Sequence, residues 1–156
     1  MKIIKTKSGK EIFVSDSDFN YLNQFHWFTD GNGYAFRWTP MHNYKRKHIH
    51  MHIEIMKPPI GKKIDHWDRN KLNNQRENLR FATNSQNRSN SIVRGVSGYK
   101  GVYKHGNKWR VKVTHRGEQI YLGLHPTKEI AAAKYNEAAR IFFGEFALLN
   151  DVPPII

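Results

Sequence analysis

Short runs of alternating apolar and polar residues open the chain. "KIIKT" and "EIFVS" predict two β-strands around a "KSGK" turn. The spacing then becomes helical in "SDSDFNYLNQF", where Phe19, Leu22 and Phe25 recur on one side and Ser15 or Asp16 supplies the N-cap. "HWFTDGNGYAFRW" predicts a hairpin whose "DGNG" turn allows positive φ. "KRKHIHMHIEIMKPP" predicts a strand running into a short helix that Pro58 and Pro59 end. "DRNKLNNQREN" is polar and rich in turn formers, so a loop is expected there, followed by a short strand at "LRF". Thr83 with Gln86 forms a capping-box pattern, starting a helix that carries Asn87.

Beyond that helix, "NSQNRSNSIVRGVSG" is poor in core-forming residues, which predicts a linker at 93–97 between a first part, 1–92, and a second, 98–150, with a tail at 151–156. The second part has three strand patterns, "GVYKH", "KWRVKVTHRG" and "EQIYLGLH", and then an Ala-rich helix, "TKEIAAAKYNEAARIFFG". Thr127 caps that helix and Gly144 stops it; Ile130, Ala131, the Lys134 stem, Tyr135, Ala138 and Ile141 are expected on its packed face. The expected fold class is therefore α+β: small β elements leading into a β-β-α unit, then a three-stranded antiparallel sheet packed on one α-helix.

Charge changes the picture most. The chain of 156 residues has 26 Lys and Arg against 13 Asp and Glu, a formal charge of +13. A polyanionic partner follows, because neutralising phosphates releases condensed counterions. No apolar run approaches the roughly 20 residues of a spanning helix, so nucleic acid is favoured over a membrane. "MKIIKTKSGKEIF" is a poor signal peptide, and a cytoplasmic, intracellular protein is expected. The absence of cysteine excludes disulfides, thiolate zinc sites and thiol nucleophiles.

Within this basic chain, Asp65 stands directly before His66 in "IDHWDRNKLNN". An ordinary account would have His66 cap a turn while Asp65 pairs with a nearby Lys. The alternative is phosphodiester hydrolysis: an imidazole with a pKa near 6.5 can take a proton from water at neutral pH. A carboxylate with an amide oxygen suits a hard cation such as magnesium. The order His66, Asn78, Asn87, with "IDH", "NLRFAT" and "SQNRSN", resembles the HNH endonucleases of phage and intron-homing type over residues 48–92. That resemblance implies a ββα-metal fold. It implies His66 as general base, Asn78 as the residue orienting the loop or the imidazole, and Asp65 and Asn87 as ligands of one divalent cation, magnesium or manganese. It also implies products with 5′-phosphate and 3′-hydroxyl ends. "MHIEIM" is similar to the family's "LHRLIM", which makes His52 a secondary candidate; Ile53 and Glu54 stand where the pattern has Arg and Leu, so the phosphate contact implied by that Arg does not carry over. Arg69 replaces the family's usual Gly and could face the DNA backbone, and Asp68 is expected to accept loop hydrogen bonds. "HIHMH" sets His48, His50 and His52 at period two, a spacing that could hold zinc or simply line a surface.

The second part resembles the plant ethylene-response-factor (Apetala-two) DNA-binding domain, through "GV", "W", "YLG", "AAAKYNEAA" and "GEFALLN". In "KWRVKVT" Trp109, Val111 and Val113 alternate with Lys108, Arg110, Lys112 and Thr114, so one face is apolar and the other basic. Such a sheet can enter a major groove. Matching to the family's contact strands adds Lys100, Tyr103, Lys104, Arg116 and Tyr121 to the expected DNA-facing set. The plant domains place Arg or Trp at several of these positions, so their target sequence does not transfer. A solvated charged face is the plain alternative. Together the parts predict a site-directed, homing-type DNA endonuclease that nicks double-stranded DNA, as a monomer or a DNA-bound dimer. The competing functions are a non-catalytic DNA-binding regulator with a degenerate nuclease module and, more remotely, an RNA binder.

Overall fold

The computed structural model describes residues 1–91 and 95–154. It divides into two compact units, Met1–Ala82 and Thr83–Ile156. Residues 93 and 94 of the expected linker and 155 and 156 of the expected tail lie outside the described residues.

In the first unit, β1 (Lys2–Lys5) and β2 (Glu11–Val14) pair antiparallel, and α1 (Asp16–Leu22) follows from Ser15. A second sheet joins β3 (Phe28–Thr29), β4 (Ala35–Trp38) and β5 (His48–His50), and α2 (Met51–Met56) leaves β5 directly. Then β6 (Lys63–His66) and β8 (Leu79–Ala82) form an antiparallel hairpin. Ile4, Ile12, Val14, Leu22, Trp27, Met51, Ile64 and Leu79 meet in one core. Burying Leu22 or Met51 contributes about 2 kcal/mol each. The Trp27 indole N–H, fully enclosed, donates to the Leu22 carbonyl at 2.8 Å, so its burial leaves no unmet donor.

Two sequence expectations change here. The segment between β6 and β8 is not all loop: β7 (Asn73–Asn74) adds to β2 in parallel register, and a 3-10 turn spans Arg76–Asn78. Polar residues make this strand because Asn74 is fully buried, its amide replacing the apolar side chain that the pattern would require. His52 is not on the strand with His48 and His50, since β5 ends at His50 and His52 sits in α2. Glu54 accepts from Arg37 Nε at 2.8 Å and Nη2 at 2.6 Å while the Tyr21 hydroxyl donates to it at 2.7 Å. This bidentate pair ties α2 to β4.

In the second unit, α3 (Asn84–Ser89) begins with a complete capping box: Thr83 Oγ1 accepts from Gln86 N at 3.2 Å and Gln86 Oε1 from Thr83 N at 2.8 Å. The strands β9 (Val102–His105), β10 (Lys108–His115) and β11 (Glu118–His125) form an antiparallel sheet with β10 central, and α4 (Lys128–Phe143) covers one face. Ala131, Ala132, Tyr135, Ala138, Ala139 and Phe143 are the buried residues that make the packed stripe. Ile141 was expected in it, but the stripe runs through Ala138, Ala139 and Phe143, and Ile141 is 80% exposed. Small side chains let the helix lie close to the sheet. At Gly101, with φ +73°, an added Cβ would sit 2.1 Å from the Tyr135 ring, so only glycine fits.

Candidate active site and nucleic-acid face

The β6–β8 hairpin sets Asp65 opposite Arg80 and His66 opposite Leu79. Asp65, His66 and Asn78 are all at least nine-tenths buried. Arg80 reaches the Asp65 carboxylate through Nε and Nη2, each 2.9 Å from Oδ2, so the acid pairs with an arginine across the hairpin rather than with a lysine. The turn after His66 is organised by Asn78. Its Oδ1 accepts from Asp68 N at 3.0 Å, and its Nδ2 donates to Asp68 Oδ1 at 2.9 Å and to Asn73 O at 2.8 Å. Asp68 also accepts from Asn70 N and Asn73 Nδ2. Arg69 projects from this turn with φ 65°, exposed, its N–H donating to His66 O at 2.9 Å.

His66 lies against two other rings, 5.2 Å from His52 and 5.8 Å from Tyr34, centre to centre. Burial lowers the His66 pKa; Asn74, Asp68 and Asp65 oppose that shift, and the net direction is downward. His52 is lowered to about 3, by burial first and then by the neighbouring His66 and His50 charges. Both rings are therefore neutral at pH 7, and His66 has a lone pair available to a proton. His50 Nε2 lies 3.0 Å from Asp30 Oδ2, and the His50 ring stacks on His52 at 5.4 Å. Tyr34, Asp30, Asn74 and Arg80 escaped the sequence reading. Only Arg80 carried a signal, standing in "LRF" at a strand position that faces Asp65 once the hairpin register is known.

Among the described residues no group of three or more His, Asp or Glu could hold a metal ion, which leaves "HIHMH" without a zinc site. Asp65 still offers a hard oxygen donor in a buried setting. That chemistry would suit a hard divalent cation. Asn87 lies in α3, within the second unit.

On the sheet, register sorts the expected DNA-facing residues. Arg110 pairs with Tyr103 and Leu124, Lys112 with Tyr121, and Thr114 with Gln119; with Lys108 these form one face. Tyr103 and Tyr121 are about half exposed. Lys104 pairs with Trp109 and so belongs to the rows on the side that α4 covers. Arg116 sits in the β10–β11 turn with φ 50°. The Lys100 ammonium is engaged at the end of α3, donating to the carbonyls of Arg88, Ser89 and Ser91. Its backbone is gripped by Asn150, which is held in turn by the buried Asn136 of α4.

The HNH endonuclease family model matches residues 47–89, the stretch holding β5, α2, the β6–β8 hairpin and α3. An uncharacterized HNH endonuclease of Acanthamoeba polyphaga mimivirus is 34% identical over 145 residues, covering 92% of this chain and 76% of its own length. The chain belongs to the HNH endonuclease family. Two Arabidopsis thaliana proteins align to less than half of this HNH protein. An ethylene-responsive transcription factor is 32% identical over 74 residues, with 45% of the chain and 17% of its own length covered. An AP2-like ethylene-responsive transcription factor is 33% identical over 73 residues, with 39% and 24% covered. No described helix of the HNH protein is long and apolar enough to cross a membrane.

Proposed function

We propose that the protein is a metal-dependent DNA endonuclease of homing type, acting inside a cell, in which His66 activates water. The observation that carries this is the buried Asp65–His66 pair on the hairpin, with a neutral imidazole and a turn pinned by Asn78. His66 takes the proton of the attacking water, while Asn78 keeps the turn, and with it the ring, in one orientation. Asp65 would hold one divalent cation, magnesium or manganese, and the family resemblance adds Asn87 as a donor. When bound, such a cation supplies charge stabilisation to the phosphate and the leaving 3′ oxygen. His52 and Tyr34 wall the imidazole from solvent and keep it neutral. Cleavage would leave 5′-phosphate and 3′-hydroxyl ends, one strand per site.

The sheet face of Lys108, Arg110, Lys112, Tyr103 and Tyr121 would hold double-stranded DNA in the major groove, with Arg110 suited to a bidentate guanine contact worth about 1–3 kcal/mol. A regulator with a decayed nuclease centre is the second reading, and the Arg80 charge on Asp65 favours it, because a cation already occupies that carboxylate. Plasmid nicking separates the two. Wild-type protein should nick with magnesium and not with EDTA, and His66→Ala should lower the rate by about 100-fold or more. Metal-independent inertness of folded wild type on DNA holding its target would leave only the regulator.

A further inference from the structure

We propose that Lys71 binds the backbone phosphate beside His66. This rests on the nuclease reading for the identity of the phosphate, but its geometry stands independently.

Three arginines of the first unit are neutralised by carboxylates. Arg37 is bidentate to Glu54, Arg76 is bidentate to Asp18, and Arg80 is spent on Asp65. Lys71 makes no ion pair among the described residues, and what sets it apart from the other lysines of the unit is where its ammonium is held. Its ammonium lies 4.6 Å from the centre of the Tyr34 ring and donates to Asn32 O at 2.8 Å. The Tyr34 ring also touches His66, His52 and His50. The positive charge is thus held against the same aromatic plate that borders the proposed base.

One carbonyl and one π face engage a group with three N–H donors, which leaves hydrogen-bonding capacity for an anion. The side chain is half-buried, so its charge is screened less than that of a surface lysine. The cation–π contact and the carbonyl fix its position in advance, reducing the entropy lost when a phosphate arrives. A phosphodiester oxygen is the ligand chemistry that a lone ammonium, next to a hydrolytic imidazole in a chain of charge +13, is suited to receive.

The test uses full-length protein with Lys71→Gln and Lys71→Arg. Glutamine keeps a donor for Asn32 O while removing the charge, and thermal unfolding verifies that both variants fold. Binding to duplex DNA is measured in EDTA across a salt series, and single-turnover plasmid nicking is measured with magnesium. In Lys71→Gln the slope of log K against log salt should become shallower by about 0.9, and nicking should slow by at least about tenfold. Lys71→Arg should restore both. An unchanged slope with slowed nicking would overturn the phosphate contact, as would a folded Lys71→Arg as impaired as Lys71→Gln. If the slope falls while wild type never nicks, the contact stands and the nuclease reading fails.

Discussion

Arg69 holds a left-handed backbone, φ 65°, in the turn that Asn78 and Asp68 organise. A Cβ in that region crowds the following carbonyl at a cost of about 1–2 kcal/mol, part of which glycine would return as unfolded-chain entropy. Arg69→Gly should therefore raise stability by about 0.5–1 kcal/mol, read as a higher urea midpoint with an unchanged slope. A lower midpoint would mean that the guanidinium contributes more to the folded turn than its backbone strain removes. At this scale the sequence was most legible where residues are close together. The Asp65-His66 pair, the Asn78 spacing and the Thr83–Gln86 box could all be read directly. Tyr34 and Asn74 could not, because what brings them to His66 is the pairing of β3–β4 and the parallel seating of β7, neither of which leaves a local pattern.

Among the elements, α2 carries the imidazole that packs on the hairpin, His52, and β5 the one that stacks on it, His50. His52 is buried with a pKa of about 3, against 6.5 in an unfolded chain. As pH falls below 6.5 the unfolded state takes up a proton that the folded state refuses until about 3, so stability drops through that window. Around the His52 ring stand His50 and Tyr34 from the β3–β5 sheet and His66 from β6, with Asp30 paired to His50. Moving from pH 7 to pH 4 should cost on the order of 3 kcal/mol at this residue, and chemical denaturation of His52→Gln should show a flatter pH dependence than wild type. An equal slope in the variant would assign the acid sensitivity elsewhere. The strands and α4 of the second unit follow periods of two and 3.6, with the buried Asn136 and the exposed Ile141 as the departures. β7 was hidden because its core position is filled by an amide.

Both units of the molecule are basic, and the sheet gathers Lys108, Arg110 and Lys112 on the face away from α4. Replacing all three by alanine should reduce the salt slope of DNA binding by about 2–3, measured by fluorescence anisotropy across salt concentrations. A slope that holds would remove the sheet from the interface. The division of the chain after Ala82 has another consequence. The family match runs through that division and ends inside α3, whose Ser89 Oγ donates to Phe146 O at 2.6 Å and whose last carbonyls receive Lys100. Chimaeras are usually spliced in a linker, which the sequence pattern puts at 93–97. A graft at that joint would separate α3 from the partners that seat it, whereas a crossover between Ala82 and Thr83 would transplant the helix, its capping box and Asn87 as one inherited block.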